Sequence, residues 1–370
     1  GGIDSPKIVR GEPIFGVDTQ LEGMVYAAYE RSPVFGAKLV SANTDAAKSQ
    51  PGVIDAFTVE GNGNAQELVD GVAVIASNWW LANKARSALD VQWDNGEWAS
   101  HSSAKYDEDA RRLMAEGKPQ EVLSAKGDVD PAFASAAQVV EGEYHYPFLA
   151  HVAMEPMNCT VHCHDDIVEV WTSTQDALGI KGRVASIAGV SEDDAVFHHS
   201  YLGGGFGRRL PFNWNVIDHA TLIAKEFDVP VKTVLSREDD MQHDYYRPAV
   251  ASNFKAAFDA NGVVQAWHNR FTGPIQTPGA SHIPYAIPNQ SIGMVEGDTH
   301  VPVAAWRSVD HSQQTFFTES FVDEVAHRSG KNPFQFRMEL LAEHPRHRKV
   351  LEVAAEAAGY GQNLPEGHAL

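Results

Sequence analysis

The stretch "YLGGGFGRRL" (residues 201–210) follows the apolar run "AVFHHS" and precedes the helical pattern "NVIDHATLIAKEFD" and the strand-like run "VKTVLS". Strand, glycine loop, helix and strand in this order are typical of a βαβ-type unit. Glycines permit positive φ and let backbone amides approach a ligand, and the start of a helix favours negative charge. We therefore predict an anion-binding loop at residues 203–207.

Two familiar phosphate loops do not fit this stretch. A P-loop needs Gly-Lys and a hydroxyl residue, whereas Arg208 and Arg209 follow here with neither Ser nor Thr. A dinucleotide fingerprint needs G-x-G-x-x-G and an acidic residue after the next strand, so a flavin or nicotinamide dehydrogenase is a weak alternative. A tight strand-to-helix turn with solvated arginines is the purely structural alternative.

Composition excludes several classes of function. The chain has 370 residues and a formal net charge of −20, which repels phosphate backbones, so nucleic acid is not an expected partner. No run of about 18 apolar residues predicts a membrane span. Cys159 and Cys163 are too few for a disulfide framework.

The pattern of strands, helices and turn residues predicts an α+β fold. Successive segments read as an entry segment, a small mixed domain, a helix with a linker, and a larger mixed domain, at residues 1–14, 15–100, 101–130 and 131–370. Gly117 and Pro119 predict the end of the helix in the third segment. The last segment is expected to close with three helices, near 313–329, 334–343 and 347–358.

Six segments recur in this order in one known family: "HVAMEPMNCTV", "WTSTQ", "LGGGFGRR", "REDDMQHDYYRPA", "WRSVDHSQ" and "ESFVDEVAHRSGKNPFQFR". Over nearly the whole chain, the sequence resembles the molybdenum hydroxylases of the xanthine and aldehyde oxidase type, and most of all their bacterial isoquinoline 1-oxidoreductase β-subunit branch. The resemblance implies an α/β-hammerhead domain at residues 15–100, followed by the first molybdopterin-binding domain, of mixed α/β type, at 131–370.

The resemblance also implies roles for individual residues. The glutamine at the position of Gln175 hydrogen-bonds a molybdenum oxo group, Phe206 packs beside the metal centre, and Arg247 orients the substrate. An oxo-metal and a pyrophosphate both need hydrogen-bond donors, which this set supplies. The cofactor-binding residues that the resemblance implies are Gln175, Gly203, Gly204, Gly205, Phe206, Gly207, Arg208 and Arg307.

The implied cofactor is molybdenum with molybdopterin in its cytosine dinucleotide form, and no side chain ligates the metal directly. The implied reaction hydroxylates an aromatic N-heterocycle or oxidises an aldehyde with water-derived oxygen. Electrons then pass to iron-sulfur clusters on a small partner subunit, in the bacterial cytoplasm or periplasm. Carbon monoxide oxidation is disfavoured because Ser308 stands where that branch has a cysteine.

No catalytic residue is assigned to this sequence. In the family, the glutamate base lies in a Gly-Glu-Pro segment near the carboxyl end of the full subunit. The Gly-Glu-Pro at residues 11–13 reads as a turn, and Glu155 reads as a raised-pKa base or, by the family pattern, a hydrogen-bonded structural acid. We therefore expect a part of a larger subunit, nearly inactive alone; the alternative is a non-catalytic module that binds a cofactor or partner.

The segment "CTVHCHDD" contains a possible metal-binding pair. His162 and His164 alternate onto one face of a strand, and Cys159 and Cys163 onto the other. Two histidines without further partners favour a polar face beside a turn over a metal site. The cysteines are expected to pack in the core.

Overall fold

The computed structural model describes residues 2–64, 67–116, 121–210, 215–273, 278–297, 299–368 and 370; the predicted helix end at Gly117 and Pro119 lies outside them. The strands are β1 (Val25–Arg31), β2 (Lys38–Ser41), β3 (Val53–Val59), β4 (Gly71–Ala76), β5 (Gln92–Asp94), β6 (Glu121–Lys126), β7 (Gln138–Tyr146), β8 (Asn158–His164), β9 (Ile167–Thr172), β10 (Ala195–His199), β11 (Val231–Val234), β12 (Val250–Phe258), β13 (Val264–Thr272) and β14 (Asn289–Val295). The helices are α1 (Ser5–Val9), α2 (Thr44–Lys48), α3 (Trp79–Ala85), α4 (Ser103–Glu116), α5 (Val129–Ala134), α6 (Gly179–Ala188), α7 (Asn215–Ala224), α8 (Arg237–Gln242), α9 (His311–Arg328), α10 (Pro333–Leu340) and α11 (Pro345–Ala358).

The chain forms two compact units that alternate along the sequence. Unit 1 comprises Gly1–Ser102, Phe148–Pro248 and Thr299–Arg307, and unit 2 comprises Ser103–Pro147, Ala249–Asp298 and Ser308–Leu370. These units do not follow the linear division predicted above, because strands from both ends of unit 1 pair in one sheet. Among the described residues, no helix combines the length and the apolar character that a bilayer crossing requires.

Unit 1 is built on a sheet with the strand order β10-β9-β8-β11-β1-β4-β3. Strand β10 is parallel to β9, and β8 is antiparallel to both β9 and β11, so β10 and β11 run in the same direction. The chain passes from β10 through the glycine loop and α7 to β11, which confirms the predicted crossover. The predicted α+β class is also confirmed.

The main core of unit 1 lies between this sheet and helices α6 and α7. Val161 of β8 and Val170 of β9 pack there against Ile180 and Ile223 of the two helices. The alternation of side chains along β8 places Cys159 in this core and Cys163 against it, as predicted. Because the apolar side chains of β8 and β9 point to the face of the sheet that packs against this core, their polar side chains point to the opposite face.

Unit 2 contains a sheet with the order β6-β14-β13-β12-β7. Long helix α9 packs on it through Phe317 and Phe321, which contact Phe254 and Trp267 in an aromatic core. The three helices predicted near the end of the chain are confirmed as α9, α10 and α11. Strands β6 and β14 were not predicted, and β6 lies in the predicted linker.

Two buried histidines stand in the interior of unit 1. His219 of α7 lies with Nε2 3.1 Å from the Val69 carbonyl oxygen, and His243 with Nε2 2.9 Å from that of Ser32. Burial, reinforced by the Arg31 guanidinium, lowers the pKa of His219 from 6.5 to about 3 and that of His243 to about 4. Both imidazoles are therefore neutral in the folded protein at neutral pH.

We expect these histidines to make stability fall with acidity. A depressed folded-state pKa means that the unfolded chain takes up protons near pH 6.5 while the folded chain does not, so stability is lost as the pH falls below that value. Each histidine should lower the free energy of unfolding by about 1.4 kcal/mol at about pH 5.5, relative to about pH 7.5. Urea unfolding at both pH values measures the difference.

His243→Gln should reduce the difference in the free energy of unfolding between the two pH values by the contribution of one histidine. This reduction is expected even if the substitution also changes the stability at both pH values. The matched control is His199→Gln, because His199 is an exposed residue of β10. An unchanged pH difference in His243→Gln would show that the pKa of His243 is the same in the folded and the unfolded protein.

Candidate cofactor-binding site

A buried ion pair holds the glycine loop in unit 1. Arg209 Nη2 lies 3.1 Å from Glu155 Oε2, and the two side chains are 0% and 4% exposed. Arg209 Nε also donates to the Gly204 carbonyl oxygen at 2.9 Å, and the Gly203 amide donates to Glu155 Oε2 at 2.9 Å. The alternative of solvated arginines is therefore wrong, because Arg209 is enclosed at the centre of the loop's supports.

Glu155 is fully engaged by the protein. Its Oε1 accepts hydrogen bonds from the Val17 amide at 3.0 Å and from Asn158 Nδ2 at 2.9 Å, in addition to the contacts of Oε2. Burial lowers the pKa of Arg209, and the carboxylate of Glu155 counters this effect. This arrangement matches the expected structural acid rather than a base that is available to a substrate.

The predicted turn at residues 11–13 is confirmed. Gly11 lies in a turn with φ of 69°, and Glu12 pairs with Arg10 at 2.6 Å on an exposed surface. Glu12 is therefore engaged in a surface ion pair.

The side-chain amide of Gln175 is oriented by the loop. Its Oε1 accepts from the Gly207 amide at 3.0 Å and from the Arg209 amide at 3.4 Å, and its own backbone amide donates to the Arg209 carbonyl oxygen at 2.8 Å. Because Oε1 is held by these donors, Nε2 is left as the outward donor. No described residue accepts a hydrogen bond from Nε2, and Gln175 is exposed.

The loop backbone leaves several donors open. Gly204, Phe206 and Gly207 have φ of 104°, 59° and 113°, and Phe206 is 43% exposed despite its size. Within the described part of the chain, the amides of Gly204, Gly205 and Phe206 have no hydrogen-bond acceptor. A left-handed, exposed aromatic residue beside open amides is typical of a binding site rather than of a packed turn.

Arg208 points into the protein instead of towards a ligand. Its Nε lies 2.8 Å from Asp244 Oδ1, with both side chains 2% exposed, and Nη2 donates to Asn215 at 3.2 Å. His151 Nδ1 lies 3.1 Å from the other oxygen of Asp244, and His151 Nε2 lies 3.1 Å from the Ala305 carbonyl oxygen. This cluster joins the loop to the segment that carries Arg307.

The other two predicted arginines lie near the same segment. Arg247 pairs through its backbone with Leu149, and its guanidinium stands 5.8 Å from the centre of the Trp306 ring. Arg307 follows Trp306 and is exposed. The segment at residues 305–307 thus carries Arg307, contacts Arg247 through Trp306, and lies against the loop at Gly207.

Sequence reasoning missed three residues that build this site, namely His151, Asp244 and the loop-supporting Arg209. His151 and Asp244 both lie in segments that carry the resemblance, and both are buried. A buried arginine requires an acid nearby. This requirement could have indicated that Arg208 and Arg209 each have an acidic partner, but it does not identify that partner in the sequence.

Arg209→Met should destabilise the protein by about 3–5 kcal/mol, because it leaves Glu155 buried without its cation. Adding Glu155→Gln should recover part of this loss, since the uncompensated charge is then removed. The matched control is Lys255→Met, which breaks an exposed pair with Glu141 and should cost at most about 1 kcal/mol. If urea unfolding showed the same loss of stability in Arg209→Met and Lys255→Met, a structural role for the buried pair would be contradicted.

Gly207→Ala tests the contact between the loop and residue 305. A Cβ at Gly207 would stand 1.7 Å from the Ala305 carbonyl oxygen, at a φ of 113°, so we expect a loss of about 3–5 kcal/mol. In Gly189→Ala, φ is also positive but no atom lies within 4 Å of the added Cβ, and the expected loss is about 1–2 kcal/mol. Thermal unfolding that ranks the two variants equally would rule out close loop packing.

Comparison with known proteins identifies the family of this chain. A family model for a molybdopterin cofactor-binding domain matches residues 114–341, more than half of the chain. The membrane-bound aldehyde dehydrogenase (pyrroloquinoline-quinone) of Gluconacetobacter polyoxogenes is 30% identical over 92% of this chain and 47% of its own length. Isoquinoline 1-oxidoreductase subunit beta of Brevundimonas diminuta is 28% identical over 96% of this chain and 48% of its own length.

Solved structures show the same fold. Quinoline 2-oxidoreductase from Pseudomonas putida 86 superposes with a TM-score of 0.74 at 18% identity, covering 96% of this chain and 53% of that one. Carbon monoxide dehydrogenase from Oligotropha carboxidovorans gives a TM-score of 0.75 at 16% identity, covering 97% of this chain and 54% of that one. The chain thus spans about half the length of each of these four proteins. It belongs to the molybdenum hydroxylase family and carries the molybdopterin cofactor-binding domain of the large subunit.

Proposed function

We propose that this chain forms part of the molybdenum-cofactor site of a large subunit that hydroxylates an aromatic N-heterocycle or oxidises an aldehyde with water-derived oxygen. The observation that carries the proposal is a group of donors around the glycine loop that have no acceptor among the described residues: the amides of Gly204, Gly205 and Phe206, and Nε2 of Gln175. The names of the two relatives point to the same two substrate classes.

The donor set fits a molybdopterin. Such a cofactor presents phosphate and oxo groups, which accept hydrogen bonds and carry negative charge. The chain has a net charge of −20, yet the two carboxylates beside the loop are each neutralised, Glu155 by Arg209 and Asp244 by Arg208. The surface offered to the cofactor is therefore rich in donors and free of opposing charge from these two acids.

When bound, the cofactor supplies the oxygen-transfer and redox chemistry. Gln175 Nε2 would donate to an oxo group, and the amides at residues 204–206 would hold the negatively charged parts of the cofactor. Gly203 and Gly207 give the loop its shape, and the exposed Phe206 keeps water from the bound group. Arg208 contributes to cofactor binding through Asp244 and Asn215, which fix the loop, rather than by direct contact.

The proposal assigns contacts with the substrate to Arg247 and Arg307, the two arginines near residue 305. Arg247, held against Trp306, orients the substrate, and the exposed Arg307 lines the active site and stabilises developing negative charge. Neither Glu155 nor Asp244 is available as a general base, because each carboxylate is engaged by an arginine. Because the relatives are about twice as long as this chain, the proposal places the general base in a part of the large subunit outside these residues.

The proposal extends to the assembly. Residues 15–100 form the α/β-hammerhead domain and residues 131–370 the first molybdopterin-binding domain, with the pterin in its cytosine dinucleotide form. A small iron-sulfur subunit accepts the electrons. A second candidate function is a folded module that binds the cofactor without turnover of its own. It is favoured by the ion pairs of Glu155 and Asp244, which leave neither carboxylate free to act as a general base.

Gln175→Ala tests the donor role in the assembly purified from its source. Losing one donor to a charged acceptor should weaken cofactor retention about tenfold or more, measured as molybdenum per large subunit. The melting temperature should fall as well, because the Gly207 and Arg209 amides lose their acceptor and the cofactor no longer stabilises the fold. The matched control is Gln92→Ala, because Gln92 is an exposed glutamine of β5. A wild-type assembly without molybdenum would refute the hydroxylase proposal, and molybdenum without turnover would favour the binding module.

A further inference from the structure

The outer face of the sheet in unit 1 carries a second group of ligand-type side chains. His162 and His164 of β8 and Glu169 of β9 each offer one ligand atom, and these atoms lie within 4.8 Å of one another. The sequence alone left the two histidines without a further partner. The structure supplies that partner from the neighbouring strand.

The hairpin register brings the three side chains to one face. In the antiparallel pair of β8 and β9, His162 stands opposite Glu169 and His164 opposite Ile167. Asp165 and Asp166 connect the strands with φ of 47° and 64°, as a tight two-residue turn requires. Because the opposite face of β8 packs in the core, the ligand-type side chains are fixed on the outer face.

Glu169 is held in place by two histidines. Its Oε1 lies 3.0 Å from His164 Nε2, and its Oε2 lies 2.7 Å from Nε2 of His198 in β10. The His198 ring stacks on Trp171 with centroids 4.4 Å apart and planes 5° apart, which fixes its own orientation. A metal-ligating carboxylate commonly has one oxygen fixed by an outer-shell hydrogen bond of this kind, which His198 supplies here.

His162 distinguishes a metal site from a surface ion pair. His164 and His198 already contact both oxygens of Glu169, so a surface ion pair does not need His162. No described residue hydrogen-bonds to the His162 imidazole. The ring nevertheless lies with its centroid 4.3 Å from that of His164. A shared cation explains why a third imidazole faces this pair.

We propose that His162, His164 and Glu169 bind one divalent transition-metal ion of the Zn²⁺ type. Two imidazole nitrogens and one carboxylate oxygen suit Zn²⁺ and exclude a preference for Mg²⁺ or Ca²⁺. A tetrahedral zinc site places ligand atoms about 3.3 Å apart, so rotamer adjustments within the present spacing are sufficient. The side chains of His164 and Glu169 are 30% and 26% exposed, which leaves the fourth position to water.

This site is separate from the proposed molybdenum chemistry. It uses none of the residues assigned to the cofactor, and its ligands come from β8 and β9. Its occupation can be measured on the purified protein without any assay of turnover, so a failure here leaves the proposed function untouched.

Zinc binding should be one ion per chain by calorimetry, and Co²⁺ should show the visible absorption of a low-coordinate site with nitrogen ligands. His162→Gln and Glu169→Gln should each weaken zinc binding about tenfold or more, because each removes a ligand. His199→Gln, at an exposed histidine of β10 that is not part of the cluster, should bind as the wild type does. Zinc should also raise the melting temperature of the wild type and of this control.

His198 tests the support of Glu169. His198→Phe should weaken zinc binding about tenfold, and His198→Gln, which can restore a donor, should recover most of it. If any variant fails to fold, the wild type still decides the question, because bound zinc should protect His162 and His164 but not His199 from chemical modification of imidazoles. No zinc-dependent protection, or equal zinc affinity in all variants, would overturn the site.

Discussion

The buried pair of Glu155 and Arg209 is the interaction on which the rest of the candidate site depends. Arg209 fixes the Gly204 carbonyl oxygen, Glu155 fixes the Gly203 amide, and the backbone of Arg209 orients Gln175. A pair of this kind is not a large source of net stability, because desolvation offsets the attraction. Its effect is to impose one loop conformation, in which three amides have no acceptor in the part of the chain that the structure describes.

The same logic explains how an acidic chain can offer a site for an anionic group. Glu155 and Asp244 are both satisfied by arginines that follow one another in the sequence, so one dipeptide neutralises two acids on the protein side of the loop. The remaining donors are backbone amides and one carboxamide. These groups carry no net charge, and the loop can therefore be donor-rich without requiring exposed cations.

Local patterns in the sequence predicted much of the fold, because alternation and helical spacing are local properties. They identified β1, β3, β4, β8 and β9, and the three helices at the end of the chain. They did not reveal that β1 pairs with β11, since that pairing joins residues about two hundred positions apart. The partners of Arg209, Arg208 and His162 were missed for the same reason.

The division into domains shows the same limit of local patterns. Composition and turn residues suggested linear boundaries, whereas the compact units alternate along the chain. Two helices escaped notice: α2 has only five residues, and Gly179 and Gly182 interrupt the helical pattern of α6. The glycine loop was found because the clustering of glycines is itself local, but the burial of its two arginines depends on distant acids.

The most direct test of the central claim is an anomalous difference map of the native assembly, recorded at the molybdenum absorption edge. The account predicts a peak beside Gln175 Nε2 and Phe206, with cofactor density along the amides of residues 204–206. A molybdenum peak remote from this loop, or a loop closed by protein atoms with no cofactor density, would contradict it.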